Sequence, residues 1–447
     1  MKTDIRTKDN LLRFETSRLM NKMMNPLCGI SQQLGFVHRS RYEPALFTAG
    51  ADLAGVHVLL NAPPPKRGAY HIGGSGIYFD EAVIRSLAES VERYSQLLGD
   101  KLNKFPKKFC SYDDLVYQGE KVLPAYKIHY FSEEQLKRKR FPFKAFDKSE
   151  GYTWIKVHSI SHYEDVWIPI QLLIVGYEIK KSLGESWINS AVTTGTATHI
   201  NHVLSMRNAL LELIQIDTAM GHWYTSYEIT EIQMDHRTAE LEKLINKNRI
   251  AEFHPQFYWL PNPDLPGFVI ACTIRKNAMP YFSIGLGADL KLSSAMYKAY
   301  LEAVGVSQLS KILLLDEKLN ATEANVDTGQ MFDLDSNVAW YAKYKNNPRI
   351  DERFNSTYQT RASDLPADDL DLPHQQLKKL IKSFKETGKE LFFVDLTAQE
   401  ILDLGLTVSR LWSPDTLSLS IPSAVPMEHP RFQVYGGIQH DDPHPYP

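Results

Sequence analysis

The densest grouping of chemically useful side chains is Ser86-Leu-Ala-Glu89-Ser-Val-Glu92-Arg93. Written on a helix, Ser86, Glu89, Glu92 and Arg93 share one face, and Leu87, Val91, Tyr94 and Leu98 take the other. Two carboxylates one turn apart suit a hard cation that carries phosphate, and a serine with an arginine suits the phosphate itself. Taken alone, such a face is the ordinary solvated stripe of an amphipathic helix. The chain repeats it, however. Gly195-Thr-Ala-Thr-His199 leads into Arg207-Asn-Ala-Leu-Leu-Glu212-Leu-Ile-Gln215, and Gly285-Leu-Gly287-Ala-Asp289 into Lys298-Ala-Tyr-Leu-Glu302. The step from first glycine to glutamate is the same in the second and third copies and one residue shorter in the first, Gly73 to Glu89.

These copies lie at irregular intervals, so they do not form a solenoid, whose units stack at a fixed period. A globular domain bringing three helix faces around one anion and metal cavity accounts for them better. The elements that must position those faces are legible. A helix is expected from about Lys8 to Met24, and strands across Tyr152 to Ile174. The second-unit helix should run to about Tyr224 and another from Thr238 to Asn248. Phe268–Ile274 and Tyr281–Gly285 read as a hairpin, and the third-unit helix as Ser293 to Leu315. A basic amphipathic helix is expected at His374 to Lys385, a buried strand at Leu391 to Val394 and a short helix at Gln399 to Leu404. Val56 to Leu60 is strand-like, and Pro63-Pro-Pro65-Lys-Arg-Gly68 is an exposed stiff turn. Asn320 to Pro366, polar and without periodicity, reads as an insertion or substrate-facing loop, and Pro414 onward as neither regular helix nor central strand. The fold class expected is α/β, mixed sheets with packed helices.

The motifs resemble the YcaO family of ATP-using enzymes from about Asn25 to Pro447. They are Ser86-x-x-Glu89-x-x-Glu92-Arg93, Glu212-x-x-Gln215 after Thr193–His199, Lys298-x-x-x-Glu302 where the family usually has Arg, and Phe393–Arg410. The ending, Pro443-His-Pro445-Tyr-Pro447, resembles the azoline-forming subset. The resemblance implies an N-terminal segment, 1–60, and a catalytic domain, 61–447, with a Pro-rich tail at 414–447. It implies ATP and Mg²⁺, with Glu89, Glu92, Glu212 and Glu302 as metal ligands and Gln215 as a neutral oxygen donor. Ser86, Arg93, Asn201 and Lys298 would meet phosphate or nucleotide. Pro443, Pro445 and Pro447 would enter the active site, placing the Pro447 carboxylate near the reacting amide as an orienting group or general base. Departures from the family pattern are Ser75 between Gly74 and Gly76, Ile216 after Gln215, and His199-Ile-Asn201.

The activity so implied is an ATP-dependent cyclodehydratase turning Cys, Ser or Thr of a ribosomal precursor peptide into thiazoline or oxazoline. Peptide thioamidation and a non-catalytic docking scaffold are the alternatives. Without an extra ThiF-like domain, a separate ThiF-like leader-binding protein is the expected partner, alongside a separate FMN-dependent azoline dehydrogenase. Composition bounds the rest. A chain of 447 residues with formal net charge −3 supports a sizeable core and argues against a nucleic-acid surface. The polar start Met1–Arg6 shows no secretory signal, and no apolar run reaches a membrane span. Cys28, Cys110 and Cys272 are widely separated, so each is expected as a buried structural thiol and the protein as cytoplasmic.

Overall fold

Three antiparallel-rich sheets carry the helices in a computed structural model describing residues 5–25, 27–39, 43–55, 72–102, 104–247, 253–319, 329, 331–355 and 358–447. The expected Val56–Leu60 strand and Pro63–Gly68 turn lie outside the described residues. A small sheet joins β1 (Ser31–Phe36), β2 (Phe47–Leu53) and β3 (Gly73–Gly76). A second sheet runs in the order β4 (Lys107–Ser111), β5 (Gly151–Ser159), β13 (Phe392–Asp395), β14 (Thr407–Trp412), β7 (Thr196–His199), with β6 (Glu164–Pro169) folded onto β5. The third runs β11 (Phe282–Asp289), β10 (Phe268–Arg275), β9 (His254–Leu260), β8 (Thr230–Gln233), β12 (Gln359–Arg361), and only its β12–β8 pair is parallel.

The long helices are α1 (Ile5–Met23), α2 (Phe79–Leu98), α3 (His202–Tyr224), α4 (Leu292–Leu319) and α5 (Pro373–Glu386), close to the ranges the periodicity predicts. Among the described residues no helix is long and apolar enough to cross a membrane. Each unit's helix belongs to a different apolar cluster. Leu87, Val91 and Tyr94 of α2 join Trp154, Ile168 and Val408. Leu210, Leu213 and Ile214 of α3 pack with Leu286, Leu380 and Phe384. Met296, Ala299 and Val304 of α4 pack with Ile270 and Phe257. The polar faces of α2, α3 and α4 are therefore what remains where three cores meet.

Two glycine contacts bring strand onto helix. A Cβ on Gly74 of β3 would stand 2.4 Å from the Ser86 nitrogen of α2, and one on Gly285 of β11 would stand 2.1 Å from the Ala303 nitrogen of α4. Neither is compatible with a side chain, so in both units main chain lies directly on the glutamate-bearing helix.

Four expectations are corrected. The stretch 320–366 carries structure in its described part: helices Ser336–Lys343 and Pro348–Phe354, and β12. These helices are too short to show a periodicity of their own. The segment beyond Pro414 includes a short helix, Arg431–Val434. Of the cysteines only Cys272 is buried, while Cys28 is exposed and Cys110 half-buried. Ser86, read as facing the same way as the glutamates, is wholly buried beneath Gly74.

Candidate active site

Glu89 and Glu92 come from the middle of α2. Glu89 Oε2 accepts from the Gly73 N–H at 2.9 Å and Oε1 pairs with Arg93 at 3.1 Å, tying β3 to the helix. Glu92 turns the other way and accepts from the Thr198 N–H of β7 at 2.7 Å. Since β7 is the edge of its sheet, Glu92 satisfies a strand donor that no neighbouring strand takes.

Glu212 of α3 and Glu302 of α4 face the same space, recessed but with part of each side chain accessible. Burial, with the main-chain hydrogen bond from Thr198 only partly offsetting it, pushes Glu92 up to about 8. Burial likewise lifts Glu302 to about 8, against a hydrogen bond from Leu286 and with Glu89 adding repulsion. Glu212 is raised well above the carboxylate range by burial, reinforced by Glu92 and Glu302 and opposed by Arg93 and Arg410. Three helices thus bring carboxylates close enough together for their charges to resist one another. Gln215, one turn beyond Glu212, shares its face of α3.

Beside the acids lies a cationic group. Asp289, the last residue of β11, accepts from Lys298 Nζ at 2.7 Å and Arg207 Nη2 at 3.1 Å. Burial pushes Asp289 up, but Lys298 and Arg207 outweigh it and hold the carboxyl below its ordinary value. Burial lowers the Lys298 ammonium despite Asp289, with Arg207 and Arg85 adding repulsion. One carboxylate shared by two cations leaves a surplus positive charge, which suits an anion.

The remaining predicted residues are placed as follows. Ser86 Oγ is buried without a hydrogen-bond partner and, under Gly74, meets no phosphate in this conformation. Asn201 is exposed and caps α3, its Oδ1 accepting from the Leu204 N–H at 3.0 Å. Arg93 stays on the Glu89 side of the cavity, and Lys298 is committed to Asp289 and the Ala288 carbonyl.

The tail is packed rather than frayed. Pro443, His444, Pro445 and Tyr446 are buried and Pro447 is half-buried. Trp223 Nε1 donates to the Asp442 carbonyl at 3.1 Å, and Tyr446 OH to the Ala219 carbonyl at 3.4 Å, so the tail runs back along α3 toward its glutamate-bearing turn. Asn337 Nδ2 donates to the carbonyls of His444 at 2.6 Å and Tyr446 at 2.9 Å, and Tyr341 OH to that of Pro443 at 2.5 Å.

Residues without a predicted role belong here too. Arg207 and Asp289 sit inside the repeated units, and a charge closing a buried strand was the available signal. Arg410 is a charged residue in β14, a strand buried along its whole length. Burial brings its guanidinium down to about 10, with Glu212 opposing the shift. Asn337 and Tyr341 fall in the stretch read as a loop, which offered no signal.

Over residues 73–417 the chain matches the family model described as "YcaO cyclodehydratase, ATP-ad Mg2+-binding". The chain belongs to the YcaO family, and ATP and Mg²⁺ are ligands of that family. Among solved structures it is similar to a heterocyclase in complex with substrate and cofactor, at TM-score 0.70 and 17% identity, over 96% of this chain and 57% of that one. It is similar to YcaO from Methanopyrus kandleri bound with AMPPCP and Mg²⁺, at TM-score 0.61 and 15% identity, over 93% of each chain. It is also similar to the E. coli microcin synthetase McbBCD complex, at TM-score 0.58 and 12% identity, over 93% of this chain and 96% of that one. At these identities the likeness is one of fold, and the chain spans only 57% of the heterocyclase. No curated protein matches.

The residues fit the two ligands. The donors are hard oxygens, and the half-buried carboxylates Glu92, Glu212 and Glu302 would gain a compensating charge from a cation among them. Among the described residues no three acidic, histidine or cysteine side chains converge closely enough to cage an ion unaided. Mg²⁺, which keeps waters and shares phosphate oxygens, does not need such a cage.

Proposed function

We propose that this protein is a cytoplasmic ATP-dependent cyclodehydratase that converts Cys, Ser or Thr of a ribosomally made precursor peptide into thiazoline or oxazoline. The observation that carries the reading is the convergence of Glu92, Glu212 and Glu302, from three helices and three cores, on one recess beside a cationic cluster. In this reading Glu89, Glu92, Glu212 and Glu302 hold Mg²⁺ directly or through water, with Gln215 as a neutral donor. Arg93, Arg207 and Lys298 meet phosphate oxygens, the last two drawing on the surplus charge around Asp289. ATP bound with Mg²⁺ supplies the phosphoryl group that turns the amide oxygen into a leaving group.

The buried tail runs back along α3 toward the turn that bears Glu212, and in this reading it brings the Pro447 carboxylate toward the reacting amide. That carboxylate takes the proton of the attacking thiol or hydroxyl, or orients the group that loses it. As the ring forms, the amide oxygen leaves as phosphate and the amide nitrogen gives up its proton to form C=N, so each ring costs the peptide one water. The multi-protein microcin synthetase among the structural neighbours supports a complex. A separate ThiF-like leader-binding protein and an FMN-dependent azoline dehydrogenase are the partners proposed.

Mass spectrometry of a candidate precursor incubated with this protein, its partner and Mg-ATP tests the reading. Stepwise loss of water, abolished by Glu89→Gln and by deletion of Pro447, is expected. Exchange of oxygen for sulfur when sulfide is supplied would replace it with thioamidation. No mass change and no phosphate release, with partner binding intact, would leave a docking scaffold.

A further inference from the structure

The last five residues have little freedom of their own. Pro443, Pro445 and Pro447 hold φ at about −65°, and His444 and Tyr446, each preceding a proline, are confined to extended conformations. Such a run is a stiff, polyproline-like strut advancing about 3.1 Å per residue. Its prolines carry no N–H, so it cannot be stitched into a sheet, and side-chain donors have to reach its carbonyls.

Helix Ser336–Lys343 supplies those donors. Asn337 and Tyr341 stand one turn apart on it, 0% and 2% exposed. Between them they take the carbonyls of Pro443, His444 and Tyr446. Burial of the His444 and Tyr446 rings, with His444 Nε2–H donating to the Ser420 carbonyl at 2.8 Å, already holds the tail against the protein. What the three carbonyl contacts add is register along the strut. Asn337 keeps that orientation at a cost, because its buried Oδ1 has no hydrogen-bond partner. On its other side the strut meets α3, where Tyr446 OH reaches the Ala219 carbonyl two turns from Glu212. We propose that Asn337 and Tyr341 are positioning residues: they fix how far the strut reaches, and so where the Pro447 carboxylate stands relative to the Glu212 turn.

This proposal rests on the peptide-modifying reading, and two readouts let them fail separately. Asn337→Asp keeps the side chain's shape but turns a carboxylate oxygen on the tail carbonyls. Tyr341→Phe removes one hydroxyl and leaves the ring against Trp223 and Trp340, so it carries the test if Asn337→Asp does not fold. The first readout, crystal structures of the full chain and both variants with Mg²⁺ and a non-hydrolysable ATP analogue, is independent of ring formation. Pro447 is expected to shift by about 1 Å or more in the variants, or to lose its order, with the nucleotide unmoved. The second is ring formation with the partner present. The expected kcat falls about tenfold in Tyr341→Phe and about a hundredfold in Asn337→Asp, with KM for peptide and ATP within about twofold. Pro447 unmoved in both variants, or a raised KM with kcat unchanged, makes the two residues ordinary tail packing and overturns the proposal while the activity stands. A Pro447 that moves as expected in a protein whose wild type makes no rings supports the positioning and overturns the cyclodehydratase.

Discussion

Helix α3 carries two inward carboxylates, half-buried Glu212 and fully buried Asp217, and the protein treats them oppositely. Asp217 is fully compensated. It accepts from Arg431 through Nη2 at 2.7 Å and Nε at 3.0 Å, from Tyr435 OH at 3.0 Å, from Asn262 Nδ2 at 3.0 Å and from the Leu417 N–H at 2.9 Å. Glu212 instead faces other acids and is raised by burial. Asp217 fastens the 417–435 segment to the helix and has no capacity left over. Glu212 keeps its capacity for something that arrives later. The difference separates a charge that builds the fold from one that waits for a ligand, although both are inward positions of one helix.

The strongest way to test that division is Arg431→Met, which strands Asp217. A loss of about 3–5 kcal/mol in urea unfolding is expected, the cost of leaving one partner of a buried pair alone. Asn337→Ala comes next. It strips two tail carbonyls of their donor and should cost about 1–3 kcal/mol, with faster proteolysis of the 440–447 tail as the local readout. Glu212→Gln should leave stability within roughly 1 kcal/mol of wild type or raise it, because a carboxyl that burial and its acidic neighbours keep from ionising is replaced by a neutral amide. It should nonetheless weaken Mg-nucleotide binding at least about tenfold in calorimetry, taking a charged contact as worth roughly 1.5–3 kcal/mol. Destabilisation comparable to Arg431→Met would make Glu212 a structural residue and end the contrast.

The last expected effect is a slope in pH. Glu92 and Glu302 hold protons up to about 8 when folded, against 4.5 as the ordinary value. Between those limits the unfolded chain releases protons that the folded one retains. Without Mg²⁺, stability should therefore fall as pH rises from about 4.5 to about 8 and level off above. Thermal unfolding across that window checks this, and Glu302→Gln should flatten part of the slope.

Much of this was legible in sequence. The glutamates drew attention because helical spacing groups residues on one face and repeats the grouping in three units, and the tail because its prolines resemble a family ending. Ser86 was misassigned because a helical projection shows which residues share a face but not that a glycine strand lies on part of it. Arg410 and the Asp217–Arg431 pair were invisible because each depends on partners remote in the chain. The stretch containing Asn337 and Tyr341 looked featureless because its role is to hold another segment rather than to form a core of its own.

The contacts at Gly74 and Gly285 have a mechanical meaning. Where two main chains touch, there is no rotamer to turn and no methyl group to shift, so the gap can neither soften nor be retuned by small substitutions. Glu89 and Glu302 are mounted on joints with almost no compliance of their own. Any change in the span between them has to come from whole strand–helix units moving as stiff bodies across the meeting of the three cores.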